Sequence, residues 1–326
     1  MIEKIRVIAS PQHDPYRNLA LEYLLLEEIA EGECILYLWR NSRCVVVGAN
    51  QLAANECDIA ALEADGGFLV RRKSGGGAVY HDLGNLNFTF LMPSRDFDEV
   101  RQSEVILKAL RQLGLDCQKT GRNDLTIDGR KFSGHAYYHH NGHSYHHGTI
   151  MLEVNGEELA RYLHVSQLKL RDKHVRSVRS RVINLKQLKP DLSVETLSRA
   201  LISSFEEVCG LKAEIMNAED LDQEKIEEYR QMFASPEWKY DRQKTCQYSR
   251  QGKYDWGIVR IDYDLKDGKI SDCAVYSDSL QADYLAEVAG LIRGQNPDEL
   301  GEFLNDQEHG KINEDIIALL RGKELS

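Results

Sequence analysis

No apolar run in this sequence approaches the ~20 residues needed to cross a bilayer, and the opening MIEKIRVIAS lacks the apolar core of a signal peptide. These absences set the expectation of a soluble, cytoplasmic protein. The cysteines, at 34, 44, 57, 117, 209, 246 and 273, are odd in number and form no CxxC pair, which fits a reducing compartment better than a disulfide framework. There is neither a glycine-rich loop ending in Gly-Lys-Ser/Thr before a helix nor a GxGxxG turn before one, which disfavours those nucleotide-binding folds. Positive charge is in deficit: a net charge of −11 argues against a general nucleic-acid binder but leaves room for a local basic site. At 326 residues the chain exceeds one ordinary core, so a large domain plus a small one is expected.

What is present concentrates in residues 71–90, RRKSGGGAVYHDLGNLNFTF. Gly75, Gly76 and Gly77 lack a Cβ, so their backbone can take φ > 0 and bring N–H groups up to an anion. Arg71, Arg72 and Lys73 add charge beside them. Ala78-Val79-Tyr80 then reads as a strand, 81–85 as a turn, and a second strand follows with Leu86, Phe88 and Phe90 on one face and Asn87 and Thr89 on the other. A glycine-rich hairpin with solvated basic residues has the same pattern, so neighbouring segments must decide.

Ile5–Ala9 alternates as a strand, 16–30 as an apolar-rich helix, and Cys34–Arg40 and Cys44–Gly48 as strands, the second buried on both faces. Helices are expected near 57–64, 97–113, 194–208 and 222–232. Asp128-Gly129 is a two-residue hairpin turn, which sets Ile127 opposite Arg130, Thr126 opposite Lys131, Leu125 opposite Phe132 and Asp124 opposite Ser133. Asp124 and Lys131 then share one polar face. His135, His139, His140, His143, His146 and His147 crowd one stretch. A zinc site is conceivable from their spacing, but Asn141-Gly142 breaks helical periodicity and no cysteine or carboxylate joins them. Most of these histidines are expected to face solvent, while His147-Gly148-Thr149 opens an alternating strand. Residues 169–189 hold eight Lys or Arg against Asp172 alone, a local positive patch. Residues 241–252 read as a linker. Beyond them come a second hairpin, 258–265 and 270–276 around Asp267-Gly268, and helical stretches near 281–293, 297–305 and 312–321.

The block at 71–90 and the segments GRNDLTIDGRKFSGHA (121–136), HHGTIML (146–152) and SVRSRVINL (177–185) stand in the order found in lipoate-protein ligases, and the sequence resembles that family of the lipoyl/biotinyl protein ligase superfamily. The resemblance implies an α+β fold, with a large mixed or antiparallel-sheet catalytic domain of the biotinyl/lipoyl ligase type at 1–243 and a small C-terminal α+β accessory domain at 244–326. It implies ATP-dependent conversion of lipoate to lipoyl-AMP. A lysine on a lipoyl domain of a 2-oxoacid dehydrogenase E2 subunit, or on the glycine-cleavage H protein, then receives the lipoyl group from a monomer with no nucleic-acid or membrane partner.

By the same resemblance Lys131 is the catalytic cation, touching both acyl carbonyl and α-phosphate. ATP and adenylate fall to Arg72, Gly77, Ala78, Val79, Tyr80, Asn123, Asp124 and Lys131, with Asp124 also positioning Mg²⁺. Lipoate falls to Arg72, Ser74, Gly75, Gly76, Lys131, Ser133, Gly134, His147 and Gly148. Arg176, Arg179 and Arg181 belong to a lid over the adenylate. His135 departs from the family pattern, which usually has a smaller or amide residue there. Two alternatives stay open. One is an acyltransferase of the same fold with a cysteine nucleophile, disfavoured by the absence of cysteine between 118 and 208; the other is a non-catalytic ligand sensor or His-rich metal-binding protein.

Overall fold

The computed structural model describes residues 1–121, 123–164, 182–240 and 244–322. Arg176, Arg179 and Arg181 of the expected lid lie outside them.

The body is one mixed eight-stranded sheet. Its strands are β1 (Lys4–Ala9), β2 (Glu33–Trp39), β6 (Asn85–Pro93), β7 (Gln118–Thr120), β8 (Asp124–Ile127), β9 (Arg130–His140), β10 (His143–Met151) and β11 (Ala213–Met216), in spatial order β11-β1-β2-β6-β10-β9-β8-β7. β11, β1 and β2 run parallel, and from β2 onward every pair is antiparallel.

Side-chain alternation decides what each face carries. On β6, Leu86, Phe88, Phe90 and Met92 enter a core shared with α2 (Glu99–Gln112) and α3 (Val194–Cys209), through Ile106, Leu110, Leu201 and Phe205. The opposite face, carrying Tyr37, Trp39, Leu91 and Tyr145, is covered by α1 (Pro15–Glu28) and α4 (Gln223–Ala234). Asp14 caps α1 by accepting from the N–H groups of Tyr16 and Arg17, and Pro15 opens its first turn. The helix then buries Leu19, Leu24, Leu25 and Leu26, each worth ~2 kcal/mol of transfer free energy.

A second sheet of three short strands, β3 (Cys44–Val47), β4 (Phe68–Arg71) and β5 (Val79–His81), is ordered β4-β3-β5. β3 is buried throughout, as its continuous apolar run implies. The 78–90 reading needs one correction: β5 and β6 are not partners. β5 pairs with β3 while β6 lies between β2 and β10, so the turn at 82–84 carries the chain from one sheet to the other.

Residues after 243 fold on their own core. β12 (Tyr248–Tyr254), β13 (Gly257–Lys266) and β14 (Lys269–Ser277) form an antiparallel sheet, with α5 (Ala282–Ile292) and α6 (Gly310–Leu320) packed on one side around Ile261, Leu285, Val288 and Ile316. Two expectations fail here. Of the stretch read as a linker at 241–252, residues 248–252 belong to edge strand β12, whose SRQGK run has no apolar alternation because it is largely exposed. The helix expected at 297–305 is a single 3₁₀ turn, Leu300–Glu302.

Candidate active site

The Asp128-Gly129 turn has φ of 50° and 71°, the signature of a tight primed turn. Ile127 faces Arg130 and Thr126 faces Lys131 as the turn dictates, but a bulge then shifts the register. Leu125 meets Ser133, not Phe132, and Asp124 meets Gly134, not Ser133. The extra residue lets both Leu125 and Phe132 reach the core, each fully buried. It also puts a residue without a side chain opposite Asp124. A Cβ on Gly134 would stand 2.8 Å from Lys131 Nζ, so this gap is what allows Lys131 to fold back and meet Asp124 Oδ1 at 2.7 Å. Asn123 is clamped beside them, with its Nδ2 donating to the His135 carbonyl and its own carbonyl accepting from the His135 N–H, both at 2.9 Å. On the other edge, the Ile183 N–H donates to the Lys131 carbonyl at 2.9 Å.

These residues open onto a cavity of about 410 Å³. Its head is Asn123, Asp124, Lys131 and Gly134; its wall is Gly76, Gly77 and Ala78 of the glycine loop; its inner end is Leu19, Trp39, Val46 and Val79. The small domain supplies a further wall through Lys253, Tyr254, Ile258, Asp278 and Leu280. No sequence signal marked those last residues, because only docking against the loop brings them near.

The glycine loop is shaped from beneath by Arg72. This side chain is buried, and its guanidinium donates to the carbonyls of Gly75 (2.6 Å), Gly77 (2.8 Å) and Val46 (3.2 Å) and to Ser74 Oγ (3.0 Å). Burial lowers its pKa to about 10, so it stays charged at neutral pH. Its main observed work is to hold the loop. Gly76, at φ +90°, is the one loop residue whose conformation requires glycine, and its N–H donates to the Ser279 carbonyl of the small domain at 2.8 Å.

Behind the cavity, Glu22 Oε1 on α1 accepts from Thr89 Oγ1 (2.7 Å) and His147 Nδ1 (2.8 Å), His147 Nε2 meets Ser74 Oγ at 2.7 Å, and Trp39 Nε1 donates to Thr89 Oγ1 at 3.0 Å. The carboxylate is thereby buried with its hydrogen bonds satisfied. This network joins two segments read separately in the sequence, the glycine block and HHGT. Of the residues expected in the site, Arg72, Gly76, Gly77, Ala78, Val79, Asn123, Asp124, Lys131, Gly134, His147 and Gly148 line the cavity. Ser74, Gly75, Ser133 and Tyr80 do not: Ser74 and Ser133 support the lining from behind, and the Tyr80 hydroxyl donates to Glu158 on the far side.

The expectation that most histidines of 135–147 face solvent is overturned for His135 and His146; His147 stands apart from it as a residue of the acyl pocket. His135, His146 and His147 are buried because β9 and β10 are inner strands of the sheet. His146 Nδ1 meets Gln102 Oε1 at 2.9 Å, its Nε2 meets His135 Nδ1 at 2.9 Å, and His135 Nε2 meets Ser133 Oγ at 3.0 Å. Burial, with nearby Lys131 and Lys119, pushes His135 down to about 3, and burial also drives His146 well below the usual range. Both rings are neutral hydrogen-bonding groups. Among the described residues no group of three His, Cys, Asp or Glu converges as a metal site.

The model of the lipoyl protein ligase A/B catalytic domain matches residues 14–206, and that of the bacterial lipoate protein ligase C-terminus matches 243–320. A curated lipoate-protein ligase A from Psychrobacter cryohalolentis is 37% identical over 290 residues, 86% of each chain. The chain belongs to the lipoate-protein ligase family. It is an enzyme of the ligase class, and the α+β fold with a small C-terminal sheet domain is that of lipoate ligases. A crystal structure of P. falciparum LipL1 in complex with lipoate superimposes with a TM-score of 0.86 at 24% identity, covering 98% of this chain and all of that one, a likeness of fold. A crystal structure of lipoate-protein ligase A bound with ATP gives a TM-score of 0.62 at 26% identity, covering 73% of this chain and 98% of that one.

Against the cysteine-dependent alternative, no cysteine among the described residues lines the cavity. Cys44 and Cys57 are buried, and burial raises both thiols, Cys57 to about 12. Among the described residues no helix is long and apolar enough to cross a membrane.

Proposed function

We propose that this chain activates lipoate with ATP to lipoyl-AMP and passes the lipoyl group to a lysine of a lipoyl-domain protein. The observation that carries the reading is one cavity in which an apolar inner end leads to a head bearing Lys131, Asp124 and Asn123 beside a glycine loop. In the first step a carboxylate oxygen attacks the α-phosphorus of ATP and pyrophosphate leaves. Two anions must meet, so a fixed cation at the meeting point lowers the barrier most. Lys131 is the cation at the cavity head, and its contact with Asp124 aims it before substrate arrives. Arg72 acts one layer back, fixing the loop so that Gly77 to Val79 flank the nucleotide and Gly76 and Gly148 flank the acyl chain. Glu22, through His147 and Ser74, locks the same wall.

At the cavity head Asp124 offers a carboxylate, a donor that fits Mg²⁺; Asp124 would hold the ion there together with phosphate oxygens and water, and the ion would supply neutralisation of phosphate charge. In the second step the neutral acceptor amine attacks the acyl carbonyl, its nitrogen gives up a proton to water, the amide forms and AMP departs with the electrons of the acyl–oxygen bond. Lys131 again faces the oxygen on which charge collects. Lipoyl domains of 2-oxoacid dehydrogenases and the glycine-cleavage H protein are the acceptors this reading names. Lipoate-dependent exchange of labelled pyrophosphate into ATP tests the first step; ATP hydrolysis indifferent to lipoate, or no exchange, would sink it.

A further inference from the structure

The cavity's inner end is apolar, yet two polar side chains open onto it: His81 at the end of β5 and Asn87 on β6. Both are buried, 4% and 1% exposed. Among the described residues His81 Nε2 and Asn87 Nδ2 have no hydrogen-bond partner, whereas neighbouring Trp39, Thr89 and His147 are all partnered. A buried donor left unpaired costs roughly 1–3 kcal/mol, so two on one apolar wall call for an acceptor in the ligand.

That both atoms are donors follows from the bonds behind them. Asn18 Nδ2 donates to the Arg40 carbonyl at 2.9 Å, which fixes its amide, and also to Asn41 Oδ1 at 2.9 Å. Asn41 therefore turns its Nδ2 toward His81 Nδ1, at 3.3 Å. Nδ1 accepts, so the neutral ring carries its proton on Nε2. The ring stays neutral because burial, with Arg72 and His147 nearby, pulls His81 down to about 3. Asn87 Oδ1 accepts from Asn85 Nδ2 at 2.7 Å, leaving its N–H₂ toward the cavity.

We propose that His81 Nε2–H and Asn87 Nδ2–H read the far end of the acyl chain, selecting a medium-chain acid whose tail carries a lone-pair heteroatom over one ending in a plain methyl. The inference rests on the acyl-activating reading above. Register sets the scale: Asn87 on β6 pairs with Thr149 on β10, whose Oγ1 accepts from the Gly134 N–H on β9, and Lys131 Nζ folds back over Gly134, so the two ends stand about two strand spacings, roughly 10 Å, apart. A carboxylate at Lys131 therefore leaves the chain terminus of a lipoate-sized acid at the two donors. Ring sulfurs accept weakly, a terminal oxygen better, and a methyl not at all.

Calorimetry on the full chain without ATP, using lipoate, ω-hydroxyoctanoate and octanoate, tests this. Octanoate is expected to bind about tenfold more weakly than ω-hydroxyoctanoate, with lipoate tighter than octanoate by a smaller factor of about three. Asn87→Leu should move the acids in opposite directions, octanoate tighter and the other two weaker; a merely structural role for Asn87 would weaken all three. Equal affinities of the native protein for the three acids, or a uniform change in Asn87→Leu, would overturn the proposal. The native comparison decides the matter if the variant does not fold. Binding of none of the acids would remove the cavity as an acyl site and the proposal with it. Selective binding without pyrophosphate exchange would instead uphold the two donors and sink only the activating reading.

Discussion

Replacing Lys131 by methionine keeps the length of the side chain and removes its charge, which separates catalysis from folding at one position. The folding cost is bounded by the ion pair with Asp124, which the substitution breaks. Lys131 and Asp124 are 37% and 36% exposed, and a half-open pair of this kind contributes ~0.2–1 kcal/mol, a shift of a few degrees in melting temperature at most. The catalytic cost is set by the charge that develops at the cavity head. Loss of one preorganised partner there is worth ~2.7–4 kcal/mol, or about 10²–10³ in rate, and the unpaired Asp124 carboxylate left facing the phosphates pushes the result toward the upper end. Lipoyl-AMP formation followed in single turnover, alongside a circular-dichroism melt, measures both quantities. A folded Lys131→Met protein making lipoyl-AMP within threefold of the native rate would refute the reasoning and remove Lys131 from the reacting centre.

Gly76→Val should lower lipoate affinity at least tenfold in calorimetry, because a Cβ there stands 3.0 Å from the Arg72 guanidinium at φ +90°; the forced left-handed backbone should also cost ~1–3 kcal/mol in denaturant unfolding. Stability should fall on acidification. His81 and His135 are neutral when folded, with pKa near 3, but titrate near 6.5 when unfolded, so the unfolded chain binds more protons through that window. At pH 5 the two together should remove about 4 kcal/mol, read as a fall in urea midpoint between pH 7 and pH 5, and a flat profile would contradict their neutral burial. Cys57→Ala should retain activity within about twofold, since the thiol is buried outside the cavity and not a nucleophile.

Much of the sheet was legible because its strands obey simple rules. β6 alternates from Asn85 to Phe90, β3 is apolar throughout, and Asp128-Gly129, Asn141-Gly142 and Asp267-Gly268 mark three hairpins whose turn residues all take positive φ. The failures have physical causes. β12 is an exposed edge with polar residues on both faces, and β11 is a four-residue edge paired with β1, far away in sequence. Partnership of β5 with β3 cannot be read from the turn that joins β5 to β6. In the site, Lys131 and Asp124 were brought together by hairpin register, though the bulge that makes room for their contact leaves no trace in the pattern. Glu22 looked like one polar position on an ordinary helix, and its role depends on a strand 125 residues away. His135 and His146 looked like surface charge until the sheet order put them in its interior.

The account turns on whether acyl transfer is driven by ATP or by a carrier-protein thioester. An unmodified lipoyl domain is incubated with this protein, lipoate and ATP, or with an octanoyl-carrier protein and no ATP, and its intact mass is followed. The account predicts one lipoyl group added to the acceptor lysine only in the reaction containing both lipoate and ATP. Acylation from the carrier protein without ATP, and none from lipoate with ATP, would contradict it.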